Sequence, residues 1–434
     1  MKYHILYALL ILIALSCDHK PKEKTMEILT EKYVKLLLEI GQYDSDIVDA
    51  FYGPDEWKPT VKKADKLPFQ ILIDRVSELM TLSAKIDSEQ YSPLENARLT
   101  MFKKQLLAVK TKLIMMDGKR FDFDKEAELL YDVVPPHFSG SYFNDILLTL
   151  EKKLPGEGSI SSRYNNFVNQ FIIPKDKLDT VFRVAIAEAR KRTSEHITLP
   201  KNENFVLEYV NDKSWSGYNY YQGGSQSLIQ INTDFPIFIQ RAIDLACHEG
   251  YPGHHVFNAL IEQNLVDGYG WKEFSIYPLF SPQSLIAEGS ANYGIDVAFP
   301  GVERVDYEKK VLFPIAGLDA SKADLYYEIL DLRGALDYAG NEAARNYLNG
   351  DLSREECANF LVKYSLSAPD KALQRTRFFD QYRSYVINYN LGKDIVSDYV
   401  EAMGGTNENT DKRWEIFKEL LSNPHTASSL LKKR

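Results

Sequence analysis

Residues 244–260 read DLACHEGYPGHHVFNAL, a stretch that begins and ends like the buried face of a helix. Its middle places His248, His254 and His255, three of the chain's eight histidines, together with Glu249 around a Pro-Gly pair. Two imidazoles beside a carboxylate are typical of zinc sites of the H-E-x-x-H type, in which both histidines bind the metal and the glutamate acts as a base. The stretch therefore predicts a metal site on an otherwise apolar helix.

The spacing of the histidines does not fit a straight α-helix. His248 and His254 are six residues apart, about 600° of rotation, so they lie on different sides of a regular helix. His248 and His255 share a side but lie about 10 Å apart along the axis. Pro252 and Gly253 let the backbone break between them, because proline removes a helical hydrogen bond and glycine tolerates distorted backbone. We therefore expect a broken helix in which the imidazoles converge.

An alternative interpretation is an ordinary helix end, with Pro-Gly as a turn and the histidines on its rim. That is the usual meaning of this dipeptide after a helix. It explains neither the His-Glu pair on an apolar side nor the helix-like restart at HHVFNALIEQ. The chemistry of the residues favours the metal site.

A zinc peptidase site also needs a third protein ligand and leaves the fourth position to water. Glu288 is the best candidate, because it lies in the apolar segment SPQSLIAEGSANYGIDV, in which Ser281-Pro282 starts a helix. A carboxylate on such a segment needs a partner, since burying a lone charge is costly. The alternative for Glu288 is an exposed helix position.

The pattern along the whole chain predicts a mainly α fold. Apolar residues recur at helical spacing over most of the chain, and strand-like alternation is clear only near residues 205–231. We expect a large helical bundle-like domain with a deep cleft and one small β-sheet preceding the motif helix. The expected regions are a signal peptide (1–17), a tether (18–25), an N-terminal helical region (26–200), a core with the sheet and both motif helices (201–300), and a C-terminal helical region that completes the cleft (301–434).

The N-terminus, MKYHILYALLILIALSC, has a basic start and a short apolar run, which indicates a secretory signal. Small residues before Cys17 resemble a bacterial lipobox, in which the cysteine is lipidated and becomes the mature N-terminus. We therefore expect an exported protein, anchored by lipid to a bacterial membrane and facing the periplasm or the cell exterior. The alternative is a short uncleaved anchor. Cys247 and Cys357 are too few for a disulfide scaffold and are read as buried apolar residues.

The net charge of −9 disfavours a nucleic-acid partner, which usually demands a basic face. The partners expected are a peptide substrate and, through the lipid, a membrane. The oligomeric state is left open by the sequence.

Two motifs resemble a bacterial family catalogued as domain-of-unknown-function family 885. Its pattern is H-E-x-x-P-G-H-H followed later by E-G-x-A-x-Y, which here reads HEGYPGHH from His248 and EGSANY from Glu288. The stretches YGPDEW and WSGYNYYQGG are also similar to one exported branch of it. The resemblance extends over most of the chain after the N-terminal segment. Ser290 departs from the pattern, because many members have tryptophan there, which concerns packing or a subsite.

The family is similar to glutamate-zincin peptidases, which are mostly helical enzymes with a deep cleft. The resemblance implies that His248, His254 and Glu288 bind one Zn²⁺ per chain and that Glu249 is the catalytic base. It also makes Tyr385 or Tyr389, in the stretch RTRFFDQYRSYVINYNLGKD, a candidate donor to the oxyanion of the reaction.

Further candidates surround these residues. Arg383, in the same stretch, is a candidate substrate contact; the alternative is a helix whose tyrosines pack and whose arginines face water. Asn292, one turn after Glu288, is a candidate to orient a ligand, and so is His255, which would be a fourth ligand if the metal were structural.

The strand SLIQIN, residues 227–232, precedes the motif helix. As an edge strand it would hold an extended peptide by main-chain hydrogen bonds, with Gly223 and Gly224 allowing close approach of the substrate. The alternative is an ordinary covered strand.

Three functions fit the sequence. The first is a zinc-dependent peptidase, the second a non-catalytic binding lipoprotein in which the metal is structural, and the third a zinc hydrolase of another amide or ester. Glu249 favours catalysis, because a structural site gains nothing from an adjacent base.

Overall fold

Helices make up most of the computed structural model, which describes residues 20–61, 63–89, 91–213 and 215–432. The prediction of a mainly α fold is therefore confirmed. The first helices are α1 (Lys20–Gly41), α2 (Phe69–Ala84), α3 (Pro93–Met116), α4 (Phe123–Tyr131), α5 (Gly140–Lys153), α6 (Ile160–Val168), α7 (Leu178–His196), α8 (Gln240–Leu245), α9 (His254–Ile261) and α10 (Pro282–Ala298). They are followed by α11 (Gly301–Tyr307), α12 (Phe313–Ala316), α13 (Ala323–Gly334), α14 (Tyr338–Asn349), α15 (Arg354–Tyr364), α16 (Pro369–Tyr382), α17 (Ile387–Ala402), α18 (Thr410–Ser422) and α19 (Ala427–Leu431).

Only part of the N-terminal segment lies within the described residues. The predicted signal peptide and Cys17 lie outside the described residues. Of the predicted tether, the part from Lys20 onward already belongs to α1. None of the described helices is long and apolar enough to span a membrane.

Two small sheets are present in the described chain, where the sequence predicted one. The strands are β1 (Val48–Phe51), β2 (Asn204–Val210), β3 (Gly217–Gly223), β4 (Gln226–Asn232) and β5 (Ile276–Pro278). One sheet has the order β2-β4-β3, and the other pairs β1 with β5 in antiparallel fashion. The second sheet escaped prediction because strands of three and four residues are too short to show alternation.

The strand SLIQIN lies in the middle of its sheet. As β4, it pairs in parallel with β2 and antiparallel with β3, so both of its edges are occupied. The expectation of an edge strand at this position was therefore wrong, and the covered-strand alternative is correct. The strands with a single partner in this sheet are β2 and β3.

Polar pairs anchor α3 to the centre of the molecule. The helix starts with a capping box formed by Ser92 and Glu95. Farther along, Arg98 donates two hydrogen bonds to Glu273 at 2.5 and 3.0 Å, and Gln105 donates to Gln283 of α10 at 3.1 Å. The N-terminal helices are thereby fixed against the helix that carries Glu288. Buried residues from the beginning to the end of the described chain form one large apolar cluster.

Helices α10 and α17 cross at a pair of glycines. A Cβ atom at Gly289 would overlap the backbone of Gly392, so no other residue fits at this crossing without a shift of one helix. The close approach brings the segment around Glu288 against Tyr385 and Tyr389 at the start of α17. The crossing therefore sets the position of one wall of the site described below.

Gly289→Ala is expected to lower the free energy of unfolding by about 1–3 kcal/mol, because the added methyl group forces two backbones apart. Chemical denaturation checks the change. Gly340→Ala is the control, since nothing lies within 4 Å of the Cβ position of Gly340 in α14. Equal stability of the two variants would contradict the tight crossing.

Candidate metal centre

The motif helix is broken between its histidines. After α8 the backbone forms a single π-helical turn, Ala246–Gly250, and helix α9 restarts only at His254. The peptide bond between Tyr251 and Pro252 is cis. Gly253 donates its amide hydrogen to the Cys247 carbonyl at 2.8 Å, and a Cβ atom at Gly253 would overlap the carbonyl of His248. The expected break at Pro-Gly is confirmed, and it folds the chain back onto the preceding turn.

The break brings the two imidazoles together with the carboxylate of Glu288. The Nε2 atoms of His248 and His254 lie 3.2 Å apart. Oε2 of Glu288 lies 3.2 Å from the first nitrogen and 3.6 Å from the second. This oxygen is buried and has no hydrogen-bond partner in the described chain. The three atoms therefore form a small triangle around one point.

The dimensions of this triangle fit a zinc ion. Ligand atoms about 2.0–2.1 Å from a tetrahedral zinc are about 3.4 Å from one another, close to the separations of 3.2, 3.2 and 3.6 Å seen here. An ion at the centre would also give the unpartnered Oε2 of Glu288 its missing contact. The imidazole side chains keep 13% exposure, so water and a substrate can reach the open side.

Hydrogen bonds around the triangle orient its members. Asn292 donates from Nδ2 to the carbonyl of Tyr389 at 2.9 Å, so its Oδ1 faces Nδ1 of His248 at 3.0 Å. Nδ1 must then carry the proton, which leaves the lone pair of Nε2 directed at the centre. Tyr385 donates its hydroxyl to Oε1 of Glu288 at 2.7 Å, which leaves Oε2 for the centre. The structure thus places Asn292 where the sequence analysis expected an orienting group.

Charges inside the triangle shift the pKa values of its members in opposite directions. Burial alone would raise the pKa of Glu288, but the charge of His254 and the adjacent imidazole of His248 hold it well below its usual range. Burial would lower the pKa of His254, but Glu288 outweighs it and raises this pKa to about 9. Without a metal, His254 therefore carries a proton beside the ionised carboxylate of Glu288, and a divalent cation would replace that proton.

Glu249 lies beside the triangle on the π turn. Its carboxylate and the two imidazoles bring their ligand atoms within 4.8 Å of one another. Glu288 is nevertheless the better third ligand, because its Oε2 is unpartnered and closer to both nitrogens. Burial raises the pKa of Glu249, partly offset by the charges of the two histidines, which suits a proton acceptor.

Strand β3 supports Glu249 from one side. Asn219 donates from Nδ2 to the Glu249 carbonyl at 2.6 Å. A Cβ atom at Gly217 would lie 2.8 Å from Oε1 of Glu249, so the backbone of β3 runs directly past this carboxylate. Gly217 is therefore the glycine that comes close to the centre.

Gly223 and Gly224 lie at the opposite end of β3. Gly223 follows Gly217 by six residue steps along the strand, about 20 Å. Both glycines have positive φ in the hairpin turn, and the Gly224 amide donates to Glu262 at 2.9 Å. Tyr52 covers Gly223. The structure accordingly places these two glycines in a turn away from the centre and does not bring them to the substrate side that the sequence analysis expected.

His255 faces away from the triangle. Its Nδ1 lies 2.8 Å from Oγ of Ser227, and its Nε2 lies 3.0 Å from Oε2 of Glu203. The ring is fully buried. Both nitrogens are therefore engaged with the sheet side of the molecule, where His255 fixes α9 to β4 and leaves no nitrogen for a fourth metal bond.

Arg383 is bound to a buried glutamate. Its Nε donates to Oε2 of Glu126 at 2.6 Å, while the amide and hydroxyl of Ser384 donate to Oε1 at 3.1 and 2.7 Å. Arg383 has a φ of 51°, unusual for a residue with a side chain. This clamp fixes the turn before Tyr385. The partner of Arg383 is therefore Glu126, and not the substrate as expected from the sequence.

The tyrosines differ in what their hydroxyl groups do. Tyr385 is committed to Glu288, whereas the Tyr389 hydroxyl has no hydrogen-bond partner in the described chain. The two rings lie 5.8 Å apart, edge to face. Burial, then the negative charge of Glu288, raises the pKa of Tyr389 well above its usual range, so its hydroxyl stays protonated.

Asp49 adds a carboxylate that the sequence analysis missed. It lies at an irregularity of β1, between Val48 and Ala50, and accepts a hydrogen bond from the Tyr218 hydroxyl. Burial raises its pKa to about 7, opposed by the charge of His254. The signal was absent from the sequence because Asp49 is far from the motif and belongs to a very short strand.

Comparisons with known proteins support the fold. No model of a known protein family matches the chain, and no curated protein matches its sequence. Among solved structures, "the putative lipoprotein from Colwellia psychrerythraea" is similar, with 14% identity, a TM-score of 0.50, and coverage of 87% of this chain and 70% of that chain. Trypanosoma cruzi metallocarboxypeptidase 1 gives 12% identity and a TM-score of 0.43 over 95% of both chains. At 14% identity the likeness to the Colwellia protein concerns the fold alone, and the family resemblance of the motifs stays a prediction.

Proposed function

We propose that this chain is a zinc-dependent hydrolase that cleaves peptide bonds. The observation that carries the proposal is the triangle of His248, His254 and Glu288, whose spacing fits a tetrahedral ion and whose Oε2 atom lacks any other partner. Two imidazoles and one carboxylate favour zinc among the divalent ions.

The residues around the triangle have distinct roles in this reaction. Zinc bound there supplies Lewis acidity and activates water near neutral pH. Glu249 accepts the proton of the attacking water on its carboxylate and later delivers it to the leaving nitrogen. Tyr389, whose hydroxyl is uncommitted, donates a hydrogen bond to the developing oxyanion. Tyr385 and Asn292 hold the ligands in place.

The edge of β3 favours a peptide over other amides and esters. This strand has one strand partner in the described chain, and its residue Gly217 lies against Glu249. An extended peptide can pair with such an edge through its main chain, which would place a peptide bond next to the base.

Tyr389→Phe is expected to lower kcat by about 10²–10³-fold while zinc stays bound, because one oxyanion donor is lost. Tyr385→Phe should instead weaken zinc affinity by about 10–100-fold, since it frees the ligand Glu288. Steady-state kinetics and zinc titration of the two variants separate these effects. The assignment fails if the two variants show the same pattern.

The competing function is a binding lipoprotein whose zinc is structural. Such a site fills all four positions with protein ligands. His255 has no free nitrogen for this purpose, which leaves Glu249 as the residue that would complete it. The two functions therefore differ in whether Glu249 is needed to hold the metal.

Metal analysis of the purified protein tests the proposal. Inductively coupled plasma mass spectrometry is expected to find about one zinc per chain in the wild type and in Glu249→Gln, and none in His254→Ala. A fluorogenic peptide panel on the zinc-loaded wild type then tests cleavage. Absence of metal from every variant after zinc reconstitution would refute the enzyme, and loss of zinc from Glu249→Gln would support the structural site.

We also propose that the protein is exported and anchored by a lipid on Cys17. The basic start, apolar run and cysteine of the N-terminus support this, as does the description of the Colwellia protein with the similar fold as a lipoprotein. Incorporation of labelled palmitate into the wild type, and its loss in Cys17→Ser, would be the expected result.

A further inference from the structure

Two cations on α16 lack a negative partner. Lys371 and Arg375 are four residues apart and so share one side of the helix. Neither forms an ion pair or a hydrogen bond in the described chain, whereas most other half-buried arginines of this protein do. Like charges at this spacing repel each other, and their partial burial adds a cost. An anion bound by the two cations would offset both their repulsion and the cost of their burial.

Arg375 packs against aromatic rings, and the carboxylate near it is bound by another arginine. Its guanidinium lies 4.4 Å from the ring centre of Phe378 and 5.6 Å from that of Phe379. The nearby carboxylate of Asp337 is already bound by Arg333. Burial lowers the pKa of Arg375, and the charge of Arg333 adds to this effect. The charges of Tyr389 and Asp337 oppose the lowering, but neither residue forms an ion pair with the guanidinium.

The surroundings of Lys371 are similar. Its Nζ lies 4.9 Å from the ring centre of Phe235, in the segment that leads to α8. Burial lowers its pKa, opposed by the exposed neighbour Asp370 and reinforced by Arg241 of α8. Arg241 also acts electrostatically on Glu249. Lys371 therefore reaches from α16 to the segment that begins the motif helix.

A series of aromatic side chains connects Arg375 to the metal centre. Arg375 rests on Phe378, whose ring centre is 6.4 Å from that of Tyr389. Tyr389 contacts Tyr385, which donates to Glu288. Two aromatic rings thus separate the guanidinium from the tyrosine that holds a metal ligand. In contrast, the carboxylate of Asp49 in β1 interacts electrostatically with His254, and it would repel an anion near that histidine.

We propose that Lys371 and Arg375 form a subsite for a carboxylate of the peptide substrate. This inference rests on the proposed peptidase function and specifies the substrate. The planar guanidinium can bind a carboxylate with two parallel hydrogen bonds, while the ammonium group adds a point charge. A carboxylate at the C-terminus of the peptide and one on an acidic side chain share this chemistry.

Three mixed-sequence pentapeptide libraries, each with a fluorophore at the N-terminus, test the subsite on the zinc-loaded full chain. The first has a free C-terminal carboxylate and no Asp or Glu, the second is its C-terminal amide, and the third is an amide that contains Asp or Glu. The wild type is expected to cleave the first library at least about tenfold faster than the second, through KM. Equally fast cleavage of the third would identify a side-chain carboxylate as the ligand.

Variants of the helix link this preference to the two cations. Arg375→Gln and Lys371→Gln are expected to reduce the ratio between the acid and amide libraries to about one, mainly through KM. Arg377→Gln, an exposed arginine on the same helix, is expected to keep the wild-type ratio. If the wild type cleaves all three libraries at the same rate, the proposed subsite is wrong, but the proposed peptidase function still stands.

A binding measurement separates failure of the inference from failure of the proposed function. If the wild type cleaves no library, the peptidase proposal fails. Fluorescence anisotropy of the same labelled libraries with the same protein then decides the subsite. Tighter binding of the carboxylate libraries that Arg375→Gln abolishes would support it, and equal binding of acids and amides would overturn it.

Discussion

Glu249→Gln is expected to lose about 10²–10⁴-fold in kcat and to keep about one zinc per chain. The amide cannot accept the proton of water, yet it has nearly the same shape, so the π turn that carries His248 is preserved. The neighbouring strand should also stay in place, because Asn219 binds the backbone carbonyl of Glu249 and not its side chain. Peptide cleavage kinetics together with metal analysis of the same preparation provide the measurement.

Glu208→Gln is the matched control for this exchange, since Glu208 is an exposed residue of β2 whose carboxylate accepts a hydrogen bond from Gln230. Its kcat and zinc content should equal those of the wild type. If Glu249→Gln still cleaved peptides at the wild-type rate, Glu249 would not be the catalytic base. A variant that loses zinc would make Glu249 a ligand instead.

Gly253→Ala is expected to abolish zinc binding even though every proposed ligand is retained. The new Cβ atom would overlap the carbonyl groups of Cys247 and His248, and these are backbone atoms that cannot rotate away. Relief of the overlap must separate the π turn from α9 and so pull the imidazoles of His248 and His254 apart. We expect the free energy of unfolding to fall by about 3 kcal/mol or more.

Metal analysis and denaturant unfolding measure the two effects of Gly253→Ala. Gly334→Ala, at the end of α13, provides the control because its Cβ position is open. It should retain both zinc and stability. If Gly253→Ala bound zinc as tightly as the wild type, the convergence of the histidines would not depend on the close turn that the structure shows.

Local chemistry explains which parts of the site the sequence could predict. The break at Pro252-Gly253, the approach of His248 and His254, and the place of Asn292 all follow from residues within one or two helical turns of the motif. Glu288 could be found because a carboxylate in an apolar helix needs a partner. In each case the information lies in residues that are close together in the chain.

Tertiary contacts determine what the sequence could not show. Asp49 reaches the site through a short strand whose partner lies far along the chain, and Gly217 matters only because β3 runs past Glu249. Arg383 seemed available for substrate, but its partner Glu126 comes from a distant helix. The order of the strands, which places the edges of this sheet at β2 and β3 and not at β4, also depends on long-range pairing.

The pairing of β1 with β5 has a consequence for how the protein matures. Val48 pairs with Pro278, so the wall that carries Asp49 closes only after most of the chain has been synthesised. Folds rich in such distant contacts form slowly, because long loops must close before the contacts stabilise them. Glu288 reaches the imidazoles only in the folded state. Zinc capture would therefore be one of the last events of maturation, and zinc content would report the fraction of chains that have completed it.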